Sequence, residues 1–241
     1  MNEQDREALP QTDAGRVLAW EDLGRQPASK AFRQSLRQLV LHPGRFFELM
    51  ATEGGLREAL MFYWTMATLT ILMGFPLALA HFALTAPDPL EVSTEVYNLH
   101  ALAPRATGFA LLLLPVVLVA GGLLMVLSGT LFHVGARLFG ARNWEGSVSI
   151  FCYAKGGGAA PFVLAEALAM VVAVACWLLT LIWPGAADAL GSVANTAVWV
   201  LGGAGLLVGT FLVFVAAVVG CTKAFKLEPA TGAAAGLAGM L

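Results

Sequence analysis

Four long apolar stretches constrain the fold of this chain more than any other feature of its sequence. They cover residues 59–83, 107–136, 159–183 and 194–221. Each meets or exceeds the roughly 20 apolar residues that an α-helix needs to cross a bilayer. Because backbone groups inside a bilayer must satisfy their hydrogen bonds internally, stretches of this kind form helices. The sequence therefore predicts an all-α integral membrane protein with four full transmembrane helices.

The composition agrees with a protein whose surface is largely covered by lipid. Of the 241 residues, 58% are hydrophobic and only 12% are charged, and the mean hydropathy is +0.75. A soluble domain carries about 25% charged residues, so this chain lacks the charge to cover a water-facing surface. The net charge of −2 provides no basic stripe for a phosphate backbone. We therefore expect the lipid bilayer, and no nucleic acid, as a partner.

The first 58 residues are polar and hold eight of the fourteen basic and nine of the sixteen acidic residues. Residues 1–27 are predicted to form a polar, mobile tail, because they offer little apolar surface to bury. They contain no apolar core of a signal peptide, so we expect the amino terminus to stay in the cytoplasm. Residues 59–241 form the predicted transmembrane domain.

Residues 28–58 are predicted to form two amphipathic helices at the membrane interface. The first runs from Ala28 to Leu41, is capped by Ser29 and ends before Pro43, which opens the second. Its apolar and basic side chains recur at helical spacing on different sides; they are Phe32, Leu36, Leu39 and Val40, and Lys30, Arg33 and Arg37. Such a helix suits the headgroup layer of a membrane. The alternative is that a partner protein covers its apolar side.

Two further apolar segments are too short to cross a bilayer. Residues 144–158 have charged edges and end in three glycines, so we expect a helix that lies at the interface and is hinged into the third span. The second segment begins at residue 230 and runs for twelve residues to Leu241. We expect it to be the start of a partial or truncated fifth span.

The lysines and arginines are distributed asymmetrically between the two sides of the predicted bundle. With a cytoplasmic amino terminus, the cytoplasmic segments are 1–58, 137–158 and 222–229, and they hold thirteen of the fourteen. The segments on the other side hold only Arg105. Cytoplasmic loops of membrane proteins carry such an excess. We therefore predict a multi-pass protein of the cell (inner) membrane with a cytoplasmic amino terminus.

The sequence contains no motif of catalysis or cofactor binding. It lacks the phosphate-binding loop, the dinucleotide fingerprint and the common zinc-protease and serine-hydrolase motifs. Its four histidines are widely separated and its three cysteines form no close pair. We therefore expect no metal, no cofactor and no enzymatic activity.

Glu166 is the one carboxylate placed well inside a predicted span. Ionisable side chains at such depth are rare, and they face the bundle interior or water. With His133 and Lys155 near the same leaflet, Glu166 could belong to a functional polar cluster that relays protons or cations. The alternative, which we favour, is a structural contact in which Lys155 or a helix end pairs with the carboxylate.

Gly205 and Gly209 form a G-x-x-x-G pattern on the fourth predicted span. Small residues at this spacing let two helices approach closely within a bilayer. The pair serves either helix packing within the chain or an interface between copies, and we favour packing within the chain.

Three blocks of sequence share a characteristic order of residues. They are Ala19-Trp20-Glu21-Asp22 with residues 32–41, His42-Pro43, Phe46-Phe47 and Glu53-Gly54-Gly55; then Phe132-His133, Leu138-Phe139-Gly140 and residues 149–154 ahead of Pro161; and last residues 220–224. Over residues 19–241, this order resembles the bacterial members of the Yip family, the Ypt/Rab-interacting-protein-type membrane domains.

This resemblance implies five membrane helices, a cytoplasmic amino terminus and no known enzymatic residues. Eukaryotic relatives act in vesicle traffic and are associated with small GTPases. The present chain lacks their aspartate-leucine-tyrosine-glycine-proline segment, so the role with GTPases does not carry over. No site residue transfers from the family.

Together these patterns favour a non-enzymatic polytopic membrane protein that acts as a scaffold or accessory subunit of a membrane complex. Its expected partners are the bilayer and either other membrane protein subunits or further copies of itself. The alternative is a channel or transporter-like subunit that uses Glu166 and His133.

Overall fold

The computed structural model describes residues 18–22, 26–85 and 95–240, with side chains described outside 75–114 and 117. The helices are α1 (Ala28–Leu41), α2 (Pro43–Leu49), α3 (Leu56–Thr85), α4 (Glu95–Arg137), α5 (Trp144–Ile182), α6 (Ala187–Ala224) and α7 (Pro229–Met240). A short 3-10 turn, Pro184–Ala186, joins α5 to α6. No strand occurs within these ranges, so the all-α prediction is confirmed.

Three helices in the described part are long and apolar enough to cross a membrane. The qualifying stretches are Leu118–Arg137, Trp144–Ile182 and Pro184–Ala224. The span predicted at 59–83 falls within α3, whose side chains beyond Gly74 lie outside the described residues. The helix α4 is longer than the predicted span, since it begins at Glu95 rather than at residue 107.

The long helices alternate in direction. Phe62 of α3 lies against Gly156 of α5. Further along both helices, Gly74 lies against Glu166, so α3 and α5 run parallel. The helix α4 packs along α5 and is joined to it only by residues 138–143, so it runs the opposite way. An up-and-down bundle of this kind keeps one set of helix ends on each side of a membrane.

Gly205 and Gly209 of α6 both lie against α5. Gly209 contacts the carbonyl of Gly158, and Gly205 contacts Ala165 and the backbone around Pro161. The order of these contacts shows that α5 and α6 are antiparallel. The G-x-x-x-G pattern therefore packs two helices of the same chain, which is the use that we favoured from sequence.

The helix α5 is continuous over 39 residues, so the predicted hinge between residues 144–158 and the third span is wrong. Every residue from Gly146 to Ala154 is buried. The three glycines that follow stay helical because each makes room for a side chain of another helix. The contacts are Phe62 of α3 on Gly156, Leu39 of α1 on Gly157, and Val213 of α6 on Gly158.

The helices α5 and α6 exceed the thickness of a bilayer. At 1.5 Å per residue, the 39 residues of α5 extend over about 58 Å, whereas the hydrocarbon core is about 30 Å thick. The 38 residues of α6 make it nearly as long. Helices of this length tilt or project from the bilayer.

The helix α7 returns along α6 and reaches α4. Gly232 and Gly236 lie against Thr222 and Val218 of α6, and Gly239 lies against Phe132 of α4. The 12 residues of α7 extend over about 18 Å. The partial fifth span predicted from residue 230 therefore corresponds to a helix packed within the bundle.

The helix α1 has the predicted bounds and α2 begins at the predicted Pro43, but α2 ends at Leu49. Pro43 separates them at the predicted position. The predicted cap is wrong, because Pro27 precedes the first helical residue and no side chain caps α1. Phe32 lies against Phe62 of α3, and Leu39 lies on α5, so α1 crosses both helices.

The prediction of a polar, mobile tail over residues 1–27 is wrong for residues 18–22. Leu18 is fully buried and Trp20 is only 4% exposed. Both are apolar, and they reach a core that exists only after α1 and α3 have come together. Residues 1–17 and 23–25 lie outside the described part.

We expect Gly205→Ala to destabilise the fold by about 1–3 kcal/mol, the range typical of overpacked contacts. A Cβ at this position would lie 2.7 Å from Cβ of Ala165 and 3.0 Å from the carbonyl oxygen of Pro161. Gly202→Ala is the matched control on the same helix, because a Cβ there meets nothing within 4 Å. Thermal unfolding in detergent measures both variants. Equal melting temperatures would contradict the packing of α6 on α5.

Candidate functional site

Residues 18–22 pack on α1 and α3 and form one side of a candidate site at the start of α5. We call these residues the docked segment, and the place where they contact the helices the docking site. The indole N–H of Trp20 donates a hydrogen bond to the carbonyl oxygen of Glu58 at 2.7 Å. The backbone N–H of Trp20 donates to Oγ of Ser35 at 3.0 Å. A buried indole needs such a partner for its N–H. The segment is thus bound to α1 and to α3 by one hydrogen bond each.

A chain of aromatic contacts connects this segment to α5. The ring of Trp20 meets the rings of Phe32 at 5.6 Å and Phe62 at 6.0 Å between centroids, both edge-on. Phe62 in turn lies 5.2 Å from the ring of Tyr153, and Phe46 of α2 lies 5.0 Å from it on another side. Edge-to-face pairs at these distances contribute about 0.5–1.5 kcal/mol each beyond the burial of area. Rings of α2 and α3 therefore pack on Tyr153, and Trp20 is connected to it through Phe62.

Glu21 provides the polar contact of this site. Its Oε1 accepts a hydrogen bond from the hydroxyl of Tyr153 at 3.2 Å, and its Oε2 accepts one from the backbone N–H of Ala51 at 3.1 Å. Burial raises the pKa of Glu21 from 4.5 to about 7, although both hydrogen bonds oppose the shift. The charge of Glu58 adds to the increase. The docked state therefore favours a protonated Glu21.

The loop between α2 and α3 is fixed to the start of α5 beside this site. Asn143 caps α5 by accepting from the N–H of Gly146, and its amide donates to the carbonyl oxygen of Thr52 at 2.8 Å. Oε2 of Glu145 accepts from the N–H of Gly54 at 2.8 Å. Gly54 has a φ of +73°, a conformation that favours glycine. The first turn of α5 thus sets the path of the loop.

The structure does not bring the three sequence-predicted polar residues together. Nδ1 of His133 forms a hydrogen bond with Oγ of Ser147 at 2.9 Å. Lys155 is exposed, with Nζ 5.4 Å from the ring centroid of Phe151. On the continuous helix α5, Glu166 lies about 28 Å from Ser147 and about 16 Å from Lys155. The expected pairing of Glu166 with Lys155, and its relay with His133, are therefore not formed.

Glu166 is instead packed against the backbone of α3. It is 8% exposed, and Oε1 lies 2.7 Å from the position that a Cβ on Gly74 would take. Its Oε2 has no hydrogen-bond partner among the described residues. The absence of a side chain at Gly74 is what allows this close approach.

The sequence pattern misses Trp20, Glu21 and Tyr153 as site residues. The first two stand in a polar segment whose average composition hides them, and Tyr153 stands in a segment assigned to the interface. A tryptophan within an otherwise polar stretch is the signal that could have identified the docking point, because a buried tryptophan contributes more apolar area than most side chains.

The contacts of Trp20, Glu21 and Tyr153 hold four segments of the chain together: residues 18–22, the loop before α3, α3 itself and α5. Among the described residues, no three of His, Cys, Asp and Glu come close enough to hold a metal ion. The three cysteines are free and buried. What the site can do is bind or release the amino-terminal segment as Glu21 gains or loses a proton.

We expect the docking of residues 18–22 to weaken as pH rises. The pKa of Glu21 is about 7 in the docked state against 4.5 in its absence, so docking is strongest below pH 4.5 and weakens as pH rises through 7. A nitroxide on Ala19→Cys reports this by electron paramagnetic resonance, with the mobile fraction relative to the docked fraction rising at least about tenfold between pH 5 and pH 8.

Glu21→Gln should abolish this pH dependence, because the amide does not titrate. Glu53→Gln, an exposed glutamate of the adjoining loop, is the control and should retain it. If the electron paramagnetic resonance spectrum of labelled Ala19→Cys, with Glu21 unchanged, stays constant between pH 5 and pH 8, the raised pKa of Glu21 is contradicted.

Protein-family models, curated proteins and solved structures were each searched, and none of the three gives a match. The geometry of the bundle and of the docking site therefore carries the functional interpretation.

Proposed function

We propose that the chain is a non-enzymatic polytopic membrane protein that acts as a scaffold or accessory subunit of a membrane complex. The observation that supports this is the anchored surface formed by α1 and α2. Leu39, Phe46 and Phe47 fix these helices on the bundle. Their basic side chains stay exposed; they are Lys30, Arg33, Arg37 and Arg45. A charged surface held in one place suits recognition of a partner better than it suits chemistry.

We further propose that the domain is Yip-like and lies in the bacterial inner membrane with its amino terminus in the cytoplasm. In support, the residues that carry the sequence resemblance converge in the fold. Trp20, Glu21, Phe46 and Tyr153 all belong to the docking site. The alternating helix directions support the orientation, since they place the basic ends of α4 and α6 on the side of α2.

A transporter that uses Glu166 together with His133 is the less favoured alternative. His133 is hydrogen-bonded to Ser147 at the start of α5, and Glu166 lies about 28 Å further along the same helix. A proton relay needs partners within hydrogen-bond reach or joined by water. The scaffold proposal requires no such relay.

The orientation is testable by cysteine labelling in intact cells. Ser29→Cys and Ser192→Cys are both exposed positions at opposite ends of the bundle. We expect a membrane-impermeant thiol reagent to label Ser192→Cys directly and Ser29→Cys only after permeabilisation, because lysine-rich and arginine-rich ends face the cytoplasm. The unsubstituted protein, whose three cysteines are buried, gives the background. The reverse pattern would overturn the orientation.

Co-purification tests the scaffold function. The protein isolated from its native membrane in mild detergent should carry a stoichiometric protein partner. Reversal of the α1 charges (Lys30→Glu, Arg33→Glu and Arg37→Glu together) should remove that partner. The melting temperature should change little, since exposed substitutions alter stability by about 0.5 kcal/mol or less each.

The matched control reverses three other exposed charges at the same end of the bundle: Arg137→Glu, Arg142→Glu and Lys226→Glu. It has the same net charge and should keep the partner. Equal loss in both triple variants would show a general charge effect, and isolation of the wild-type chain alone would contradict the scaffold function.

A further inference from the structure

A groove runs along one side of α3, from Arg57 near the start of the helix to Ile71. Three neighbouring pockets form it, and Trp64 lines all three. Their volumes are about 590, 380 and 300 Å³. Cavities of about 300–1,000 Å³ are typical of sites for small molecules.

The first pocket has two charged side chains in its lining. Arg57 and Glu145 both line it, together with the backbone of Gly54. Glu145 is held in place by the N–H of Gly54, and a carboxylate has lone pairs for donors beyond this one. A cation and an anion therefore line the same pocket.

The other two cavities are apolar and lie on either side of Trp64. One lies on the outer face of α3, and Met61, Thr65, Thr68 and Leu69 line it. The other lies between α3, α4 and α5, and Ala67, Ile71, Leu118, Gly121 and Ala159 are among its lining. The hydroxyls of Thr65 and Thr70 already donate to carbonyls of their own helix at 2.8 and 3.0 Å. These walls therefore offer few groups to a polar ligand.

The length of the groove matches one leaflet of a membrane. Arg57 and Ile71 stand 14 residues apart on α3, which corresponds to about 21 Å. Half of a bilayer with its headgroup layer measures about 20–22 Å. A groove that is charged at one end, apolar over the rest and one leaflet long fits an amphiphile with its headgroup at Arg57.

We propose that this groove binds a zwitterionic aminophospholipid, with its phosphate at Arg57, its ammonium at Glu145 and its acyl chains on the two sides of Trp64. Arginine binds phosphate oxygens through two parallel N–H donors. A primary ammonium donates to a carboxylate, which a quaternary ammonium cannot do. The charges thus select phosphatidylethanolamine over phosphatidylcholine, and over phosphatidylglycerol, which has no cation. The lipid site goes beyond the scaffold function and does not depend on a protein partner.

Native mass spectrometry of the detergent-purified chain tests the proposal with three dioleoyl lipids at equal concentration. The probes are phosphatidylethanolamine, phosphatidylcholine and phosphatidylglycerol. We expect phosphatidylethanolamine to bind at least about tenfold more tightly than the other two, because each charge-assisted contact adds about that factor. Glycerophosphoethanolamine, the headgroup without acyl chains, should fail to compete.

Three variants assign the contacts. Glu145→Gln keeps an oxygen for the N–H of Gly54 but should lower phosphatidylethanolamine binding to the level of phosphatidylglycerol. Arg57→Gln should weaken the binding of all three lipids. Gly121→Leu should block the inner cavity and weaken all three at least about tenfold, and it has room to fold, since a Cβ at Gly121 meets nothing within 4 Å.

Matched controls remove the same chemistry elsewhere. Arg142→Gln and Glu228→Gln each remove an exposed charge outside the groove, and Gly203→Leu adds a leucine where a Cβ also meets nothing. All three should bind lipid as the wild type does. Equal binding of the three headgroups, a preference for phosphatidylglycerol, competition by the free headgroup, or unchanged binding in Gly121→Leu would each overturn the proposal.

Discussion

The close approach of other helices to the backbone of α5 is the interaction on which the rest of the structure depends. At Gly156, Gly157 and Gly158, three successive residues each receive a side chain from a different helix. Glycine in a helix interior costs about 1 kcal/mol relative to alanine. Here that cost is offset by contacts with α1, α3 and α6 that no larger residue would permit. The position of α1, and with it the docked amino-terminal segment, follows from this convergence.

Local sequence signals predicted the local features of the fold. Pro43 fixed the boundary between α1 and α2, because the residue before a proline avoids the helical conformation. The apolar stretches identified the long helices. The small residues Gly205 and Gly209 correctly indicated where two helices of the chain approach each other, because their spacing alone places them on one helix face.

Features that depend on contacts between distant residues could not be read in this way. Three glycines in a row indicate a hinge unless neighbours fill the space beside them, and those neighbours come from helices far away in the chain. Because the three glycines were interpreted as a hinge, residues 144–158 were separated from the third span and the continuous helix α5 was not predicted. A hinge would also have allowed Lys155 to approach Glu166, whereas the unbroken helix keeps the two residues about 16 Å apart. The burial of Trp20 was missed because its surroundings are made by α1 and α3.

The first turns of α5 connect the lipid groove with the docked segment that contains Glu21. Glu145 holds Gly54 of the loop before α3, and the same loop presents the N–H of Ala51 to Glu21. One side of this loop faces the lipid groove and the other faces the docked segment. Protonation of Glu21 and occupation of the groove therefore act on a common loop of a few residues, although they involve different chemistry.

The sequence separation of the Glu21–Tyr153 contact has a consequence for biosynthesis. The two residues are 132 positions apart, and a ribosome adds about 5–20 residues per second, so roughly 7–26 s pass between their syntheses. During that interval Glu21 and Phe46 have no Tyr153 to contact. The nascent chain therefore leaves the aromatic partner of Phe46 on α5 missing until α5 has been synthesised. The amino-terminal segment is synthesised first but can complete its contacts only after α5 has been made. Until then it is accessible to proteases and chaperones.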